Sequence, residues 1–427
     1  MKKQLGILAI STAILLGLVG YAYYQKELNN DVASVDNLPV YEYSITEESE
    51  TVISSESTVE EEETEDKTVE TTETEITEET ETEIENVIKI DGATHDSLSY
   101  AYQKINEDER AVYDVIYTAI VSFEENVTVP TLEPEVIEKA FNCVMMDHPE
   151  IFYVNGYRFT KYTRGGELKR LAFSASYCYS ESEAEKLKKD INAAVDAILA
   201  NVYPGATEYQ KIKYAYDIIV LETEYDVNSA DNQNIISVLI NKKSVCQGYA
   251  KTLQLLLNRM GIPCTLVTGT VSNGESHAWN AIMADGQWYY ADVTWGDSSY
   301  KSADANKVDY APPVNYDYLL VTSPEISSTH TAEDIVELPY AQAIDDNYYV
   351  KEGLYVTTYN PEQIKAIFDY ARALGQKSVS FKCSDPLVYN QVRAELIDNQ
   401  KVFDYLVVRQ IRYVDDANMR KLMFALQ

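Results

Sequence analysis

The sequence predicts an α+β protein, with a helix packed on an antiparallel sheet at its centre, a mixed α/β unit before it and a small α/β unit after it. Two observations carry the centre and a third the flanks. Apolar side chains at Leu253, Leu256, Leu257 and Met260 fall on one helical face, and Gly261 is a suitable stop. Two strand-like runs, His277–Ala284 and Gln287–Thr294, flank Asp285-Gly286, a strong two-residue hairpin signal. The segments on either side alternate helical and strand-like patterns.

Length and composition bound the answer. At about 150 residues per domain, 427 residues predict about three units. The hydrophobic fraction of 45% and charged fraction of 24% fit a globular chain, which excludes wholesale disorder and a polytopic membrane protein. A net charge of −34 disfavours a phosphate-gripping nucleic-acid binder, so no nucleic-acid partner is expected. Between Glu42 and Glu85 lie 18 Glu and one Asp against one Lys, a net −18, so more than half of that charge belongs to one segment.

Taken in order, Lys2 and Lys3 precede an apolar run from Leu5 to Tyr24, broken only by Ser11 and Thr12. Twenty residues at about 1.5 Å each span about 30 Å, one bilayer crossing. Residues 1–24 are therefore expected to be a membrane anchor with the remainder outside the cell, or a signal peptide cleaved after Gly20-Tyr21-Ala22, which leaves a secreted chain. Residues 25–88, rich in Glu and Thr, cannot bury enough apolar surface to fold and read as a disordered acidic tether. Residues 89–202 form the first folded unit: helices over Ser99–Phe123 and Pro134–Met146, strands over Ile151–Tyr162 and Leu171–Tyr179, and a helix over Ser182–Leu199. Pro204-Gly205 marks a boundary, and residues 203–325 form the central unit, opening with a helix near Glu208–Glu222. Residues 326–427 form the last unit, with strands over Tyr348–Thr357, Ser378–Cys383 and Tyr405–Tyr413 between helices at Pro361 and Pro386.

The chemistry gathers in the central unit. Ser244 is a reasonable N-cap, which puts Cys246 in the first helical turn, where unpaired N–H groups and the helix dipole stabilise a thiolate. In a two-residue hairpin loop Ala284 opposes Gln287, so Trp279 faces Asp292, and His277 and Asp292 become diagonal neighbours on one sheet face. That face also holds Trp279, Ala281, Met283, Trp288 and Tyr290 and is expected to pack on the Cys246 helix. A thiol, an imidazole and a carboxylate would then converge, the His taking the thiol proton and the Asp orienting the ring. A core cysteine under a hairpin with an ordinary His–Asp hydrogen bond is the plainer alternative.

Val245-Cys246-Gln247-Gly248-Tyr249-Ala250, Gly261-Ile262-Pro263, Gly269, His277-Ala278-Trp279-Asn280 and Asp285-Gly286 through Trp295 together closely resemble the core of the transglutaminase-like superfamily. The likeness is strong over about 50 residues and looser from Tyr203 to Leu320, with Tyr225-Asp226 resembling an upstream element. It implies a papain-like core with Cys246 as nucleophile, His277 as base and Asp292 as orienting acid. The segment Asp147–Val154 resembles one that often precedes this core in exported proteins of Gram-positive bacteria. The family includes crosslinkers, proteases, other amidases and members without catalysis. The expectation is thus an extracellular acyl-transfer enzyme acting on amide bonds of protein or cell-wall peptide, monomeric and without cofactor, with a noncatalytic binding or adhesion module as the alternative. Cys246 should supply one oxyanion donor; Gln247, Tyr225 and Trp279 are candidates for the second.

Other patterns are weaker. Cys246, Cys264 and His277 lack the paired spacing of a zinc site, and Asp304, Asn306 and Asp309 lack the central Gly and closing Glu of a calcium loop. Cys143 and Cys178 could pair, but four buried thiols besides Cys246 are equally compatible with the sequence. His95 and His148 have no companions at ligand spacing. The 35 Tyr, against 9 Phe and 3 Trp, suit either a binding groove or half-buried strands.

Overall fold

The computed structural model describes residues 68–75, 98–297, 310–406, 408 and 410–426. The expected anchor at 1–24, most of the tether at 25–88, His95 and the calcium-loop pattern at 304–309 lie outside them. Among the described residues no helix is long and apolar enough to cross a membrane.

The first unit places a four-stranded sheet beside helices. Its strand order is Thr68–Glu75, Val154–Arg164, Glu167–Tyr177 and Val127–Val129, with the first pair parallel. Eight residues of the expected tether are thus an edge strand, for which threonine is well suited. The helix expected over Ser99–Phe123 is split into Tyr100–Lys104 and Glu107–Val121 because Asn106 caps the second piece, sharing reciprocal hydrogen bonds with Glu109. Ser180/Glu183 and Thr207/Gln210 open the helices Glu181–Leu199 and Glu208–Glu222 in the same way.

No break in packing follows the boundary expected at residue 203. One buried cluster runs from Tyr100, through Phe141 and Tyr157, to Ile212, Leu253 and Ile282. Gln254 on the central helix donates to the Met146 carbonyl at 2.8 Å across that boundary.

In the central unit the helix Cys246–Arg259 lies on a sheet ordered His330–Ala332, Cys264–Val271, Ser276–Ala284, Gln287–Ala291. The hairpin has the expected register, Ala284 opposite Gln287 and Ala281 opposite Tyr290. Asp285 and Gly286 both have positive φ, 46° and 78°, as a two-residue turn between twisted strands requires.

Two expectations here are corrected. The sheet face that meets the helix carries Ala278, Ile282, Ala284, Tyr289 and Ala291, which share the cluster of Leu253, Leu256 and Leu257. The face with Trp279, Ala281 and Tyr290 packs instead on Val267, Tyr318, Val321 and Ile326. Alanines let the helix approach closely, and Asn280 on that same face donates to the Ala250 carbonyl at 3.0 Å, whereas Trp279 and Tyr290 need the deeper layer. The N-cap is Val245 rather than Ser244, whose hydroxyl is taken by the Asn232 carbonyl at 3.0 Å and the Ser237 hydroxyl at 2.6 Å.

The last unit has its own buried cluster, from Val356 to Phe424, and a sheet ordered Tyr355–Val356, Ser378–Cys383, Lys421–Ala425, Tyr413–Asp416. Its ends depart from expectation. Tyr348–Lys351 is a short helix because Asn347 caps it, accepting from the Tyr349 N–H. The strand expected at Tyr405–Tyr413 begins only at Tyr413 and is followed by a further strand.

The helix Glu208–Glu222 is tied to the segment after the hairpin through the Tyr316 hydroxyl, which meets a buried ion pair on that helix. Lys213 and Asp217 lie 2.6 Å apart with side chains only 4% exposed, and both bond the Tyr316 hydroxyl. Removing one partner strands a buried charge. Lys213→Met is expected to lower stability in urea unfolding by about 3 kcal/mol or more, with Lys213→Met/Asp217→Leu recovering most of that loss.

Candidate active site

Cys246 is the first residue of its helix, so its backbone N–H has no intrahelical partner, and the residue is only partly buried. The helix can begin there only because residue 248 is glycine. A Cβ at Gly248 would lie 2.1 Å from the Ser244 hydroxyl and 2.8 Å from the Asn232 carbonyl.

His277 and Asp292 meet as the hairpin register requires. His277 Nε2 is 2.9 Å from Asp292 Oδ2, and both side chains are almost wholly buried. Since Nε2 is committed to the carboxylate, Nδ1 is left for the thiol, and Cys246 lies close enough to act on the ring. Burial alone would depress the His277 pKa. The charge and hydrogen bond of Asp292, with a further push from Cys246, outweigh burial and raise it to about 10. Burial would raise Asp292, but its imidazole partners hold it well below the usual carboxylate range.

The carboxylate is held on every side. Oδ1 accepts from the backbone N–H groups of Thr294 and Trp295 at 2.9 and 3.1 Å. Oδ2 meets a second imidazole, His330 Nε2, at 3.1 Å. Sequence reasoning missed His330. It lies 38 residues beyond Asp292 on a three-residue strand, and no local pattern marks it; only its pairing opposite Val271 brings it in. That strand can approach because residue 269 is glycine, where a Cβ would lie 2.1 Å from the Thr331 carbonyl.

Aromatic rings wall the two imidazoles. Trp295 lies 5.8 Å from His277 and 4.6 Å from His330, while Trp279 and Tyr318 lie 4.8 and 5.6 Å from His330. Such a surrounding excludes water and strengthens charge interactions inside it.

Of the candidates for a second oxyanion donor, Trp279 is 2% exposed and packed in the layer behind the sheet, away from solvent. Gln247 and Tyr225 are half-buried. Among the described residues, His277, Asp292 and His330 are the group whose donor atoms, all within 4.8 Å, could hold a metal ion. Here those atoms satisfy one another by hydrogen bonding. Cys264 does not join them; it is a core residue whose burial pushes its thiol pKa well up. None of the five cysteines forms a disulfide.

The central part of the chain is similar to known proteins. Residues 197–293 match the family model of the transglutaminase-like superfamily. Kyphoscoliosis peptidase of Mus musculus is 27% identical over 126 residues, 26% of this chain and 19% of that protein. Kyphoscoliosis peptidase of Homo sapiens is 26% identical over 121 residues, 24% of this chain and 18% of that protein. The matched region is thus less than a fifth of the length of these relatives. Among solved structures, a TGase crystal structure is similar at 15% identity and a TM-score of 0.25, covering 39% of this chain and 49% of that one. A putative cysteine protease from Cytophaga hutchinsonii is similar at 13% identity and a TM-score of 0.22, covering 32% and 62%. Cys246, His277 and Asp292 all fall inside the matched stretch, and residues 197–293 form a transglutaminase-like superfamily domain.

Proposed function

We propose that this chain is a cysteine-dependent acyl-transfer enzyme that acts on amide bonds of protein or cell-wall peptide, held outside the cell by residues 1–24. The observation that carries the reading is the partly buried Cys246 at a helix N-terminus, beside an imidazole whose far nitrogen is bound to a buried carboxylate. The apolar run at 5–24 behind two lysines supports the tether.

His277 Nδ1 takes the Cys246 proton, giving a thiolate–imidazolium pair beside ionised Asp292. The thiolate attacks the carbonyl carbon, and the developing oxyanion meets the Cys246 backbone N–H. The C–N bond breaks as the imidazolium returns the proton to the departing amine, leaving a thioester on Cys246. Water then gives hydrolysis, and a primary amine gives crosslinking.

A glutaminyl peptide offered with a fluorescent primary amine tests the reading. Cleavage or amine incorporation is expected from the wild-type chain, none from Cys246→Ala, and about 10³-fold less from His277→Ala or Asp292→Asn. Unchanged turnover in Cys246→Ala would sink the proposal. Incorporation identifies a transferase, and cleavage without it a hydrolase.

The pH profile follows from His277. Its pKa is raised, so the imidazolium persists through neutrality and is lost as pH climbs through about 10. kcat/KM is expected to hold a plateau around neutral pH and fall on the alkaline side; a rate still rising at pH 10 contradicts it. Deleting residues 1–24 is expected to move the protein from the membrane fraction to the soluble one on centrifugation.

A further inference from the structure

The proposed triad leaves one buried titratable side chain without a role. His330, with its side chain 0% exposed, directs Nε2 at the same Asp292 oxygen that His277 uses. Its other nitrogen, Nδ1, lies 2.8 Å from the Thr329 hydroxyl, which also faces the Tyr318 hydroxyl at 3.3 Å. An ionised carboxylate only accepts, so Nε2 carries the hydrogen on the Asp292 side, while Nδ1 on the far side shares a hydrogen bond with the Thr329 hydroxyl. The chain Thr329–His330–Asp292 fixes the ring with its Nε2–H aimed at Oδ2.

Two N–H groups therefore converge on one oxygen, one from each imidazole. The His330 bond does two things the triad needs. It fixes Oδ2, and with it the plane in which the His277 ring can turn. It also draws charge from Oδ2, so the carboxylate holds the imidazolium less tightly and the ring gives up its proton more readily. We infer that His330 is a positioning residue of the acyl-transfer site, acting through Asp292 to keep His277 oriented on Cys246. This rests on the Cys246–His277–Asp292 reading above. The other ionisable groups facing this cluster are Cys246 on its helix, Tyr318 after the hairpin and Tyr216, whose hydroxyl donates to the Asp292 carbonyl at 2.9 Å.

Alkylation of Cys246 by iodoacetamide tests this without a known substrate. Rates are measured by peptide mass spectrometry from pH 4 to 11 on the full chain, with circular dichroism confirming that each variant is folded. His330→Gln keeps an N–H donor at a similar reach; His330→Phe keeps the bulk and removes it; Thr329→Val removes the hydrogen bond that holds the far side of the ring. His330→Gln is expected to stay within about threefold of wild type with the same profile. His330→Phe is expected to react about tenfold more slowly at pH 7. The step in its rate at alkaline pH, where the imidazolium is lost and a bare thiolate remains to react, should move up by about half a pH unit or more, because the undiluted carboxylate grips the imidazolium harder. Thr329→Val should fall between them.

A merely structural role would lower the folded fraction or the amplitude and leave the alkaline step in place. A reactive wild-type Cys246 with His330→Phe matching it in rate and profile, or His330→Gln as impaired as His330→Phe, overturns this inference alone. A wild-type Cys246 no faster than the other four thiols overturns the acyl-transfer reading, and this inference with it.

Discussion

The structure of the central unit depends on the burial of one ionised carboxylate, that of Asp292. Taking such a group out of water costs several kcal/mol unless its lone pairs are met. Five parts of the chain meet them or fix the residue's backbone. The turn after the hairpin gives two N–H groups and the strand before it gives His277. The strand at 330–332 gives His330. The Asp292 N–H goes to the Tyr318 carbonyl at 3.0 Å, and its carbonyl receives the Tyr216 hydroxyl from the helix Glu208–Glu222. A side chain so constrained is an anchor for the ring beside it. The arrangement is therefore preorganised, and Cys246 is the member left open to solvent.

Close approach is the second requirement, and it explains two glycines that otherwise look incidental. Gly248 lets the helix start against the Ser237–Ser244 hydroxyl pair, which sets the position of the thiol. Gly269 lets the His330 strand lie against its neighbour, which sets the position of the second imidazole. One glycine serves the nucleophile and the other serves the carboxylate.

What the sequence made legible follows from how local each signal is. The hairpin register could be calculated because Asp285-Gly286 fixes the turn and strand geometry has a period of two, so the His277–Asp292 contact followed from counting. The helix that carries Cys246 was legible from its apolar spacing, with Cys246 in its first turn. The face that meets the helix was not, because both faces of this sheet are buried. Apolar content then carries no sign, and only the contrast between Ala278 and Ala284 on one side and Trp279 and Tyr290 on the other distinguishes them. Ser244 was misread as a cap because its hydroxyl has a tertiary partner that spacing cannot reveal. His330 was invisible for the same reason: its partner is 38 residues away in sequence and 3.1 Å away in space.

The last unit is tied to this arrangement through the segment that follows the hairpin. Asp317, next to the residue whose carbonyl holds the Asp292 N–H, is bonded by Lys421 and by the Tyr349 hydroxyl. Glu325, five residues before His330, is bonded by the buried Lys382 and lies 3.9 Å from Arg420. Burial would raise both carboxyl pKa values, but the lysines beside them hold both below the ordinary range. Their contribution to stability is thus complete at neutral pH and is lost only as pH falls through the depressed folded-state values. The strands that carry Lys382 and Lys421 belong to the last unit, and the residues they clamp lie in the stretch that presents Tyr318 and His330 to Asp292. The C-terminal unit is therefore a structural buttress of the site.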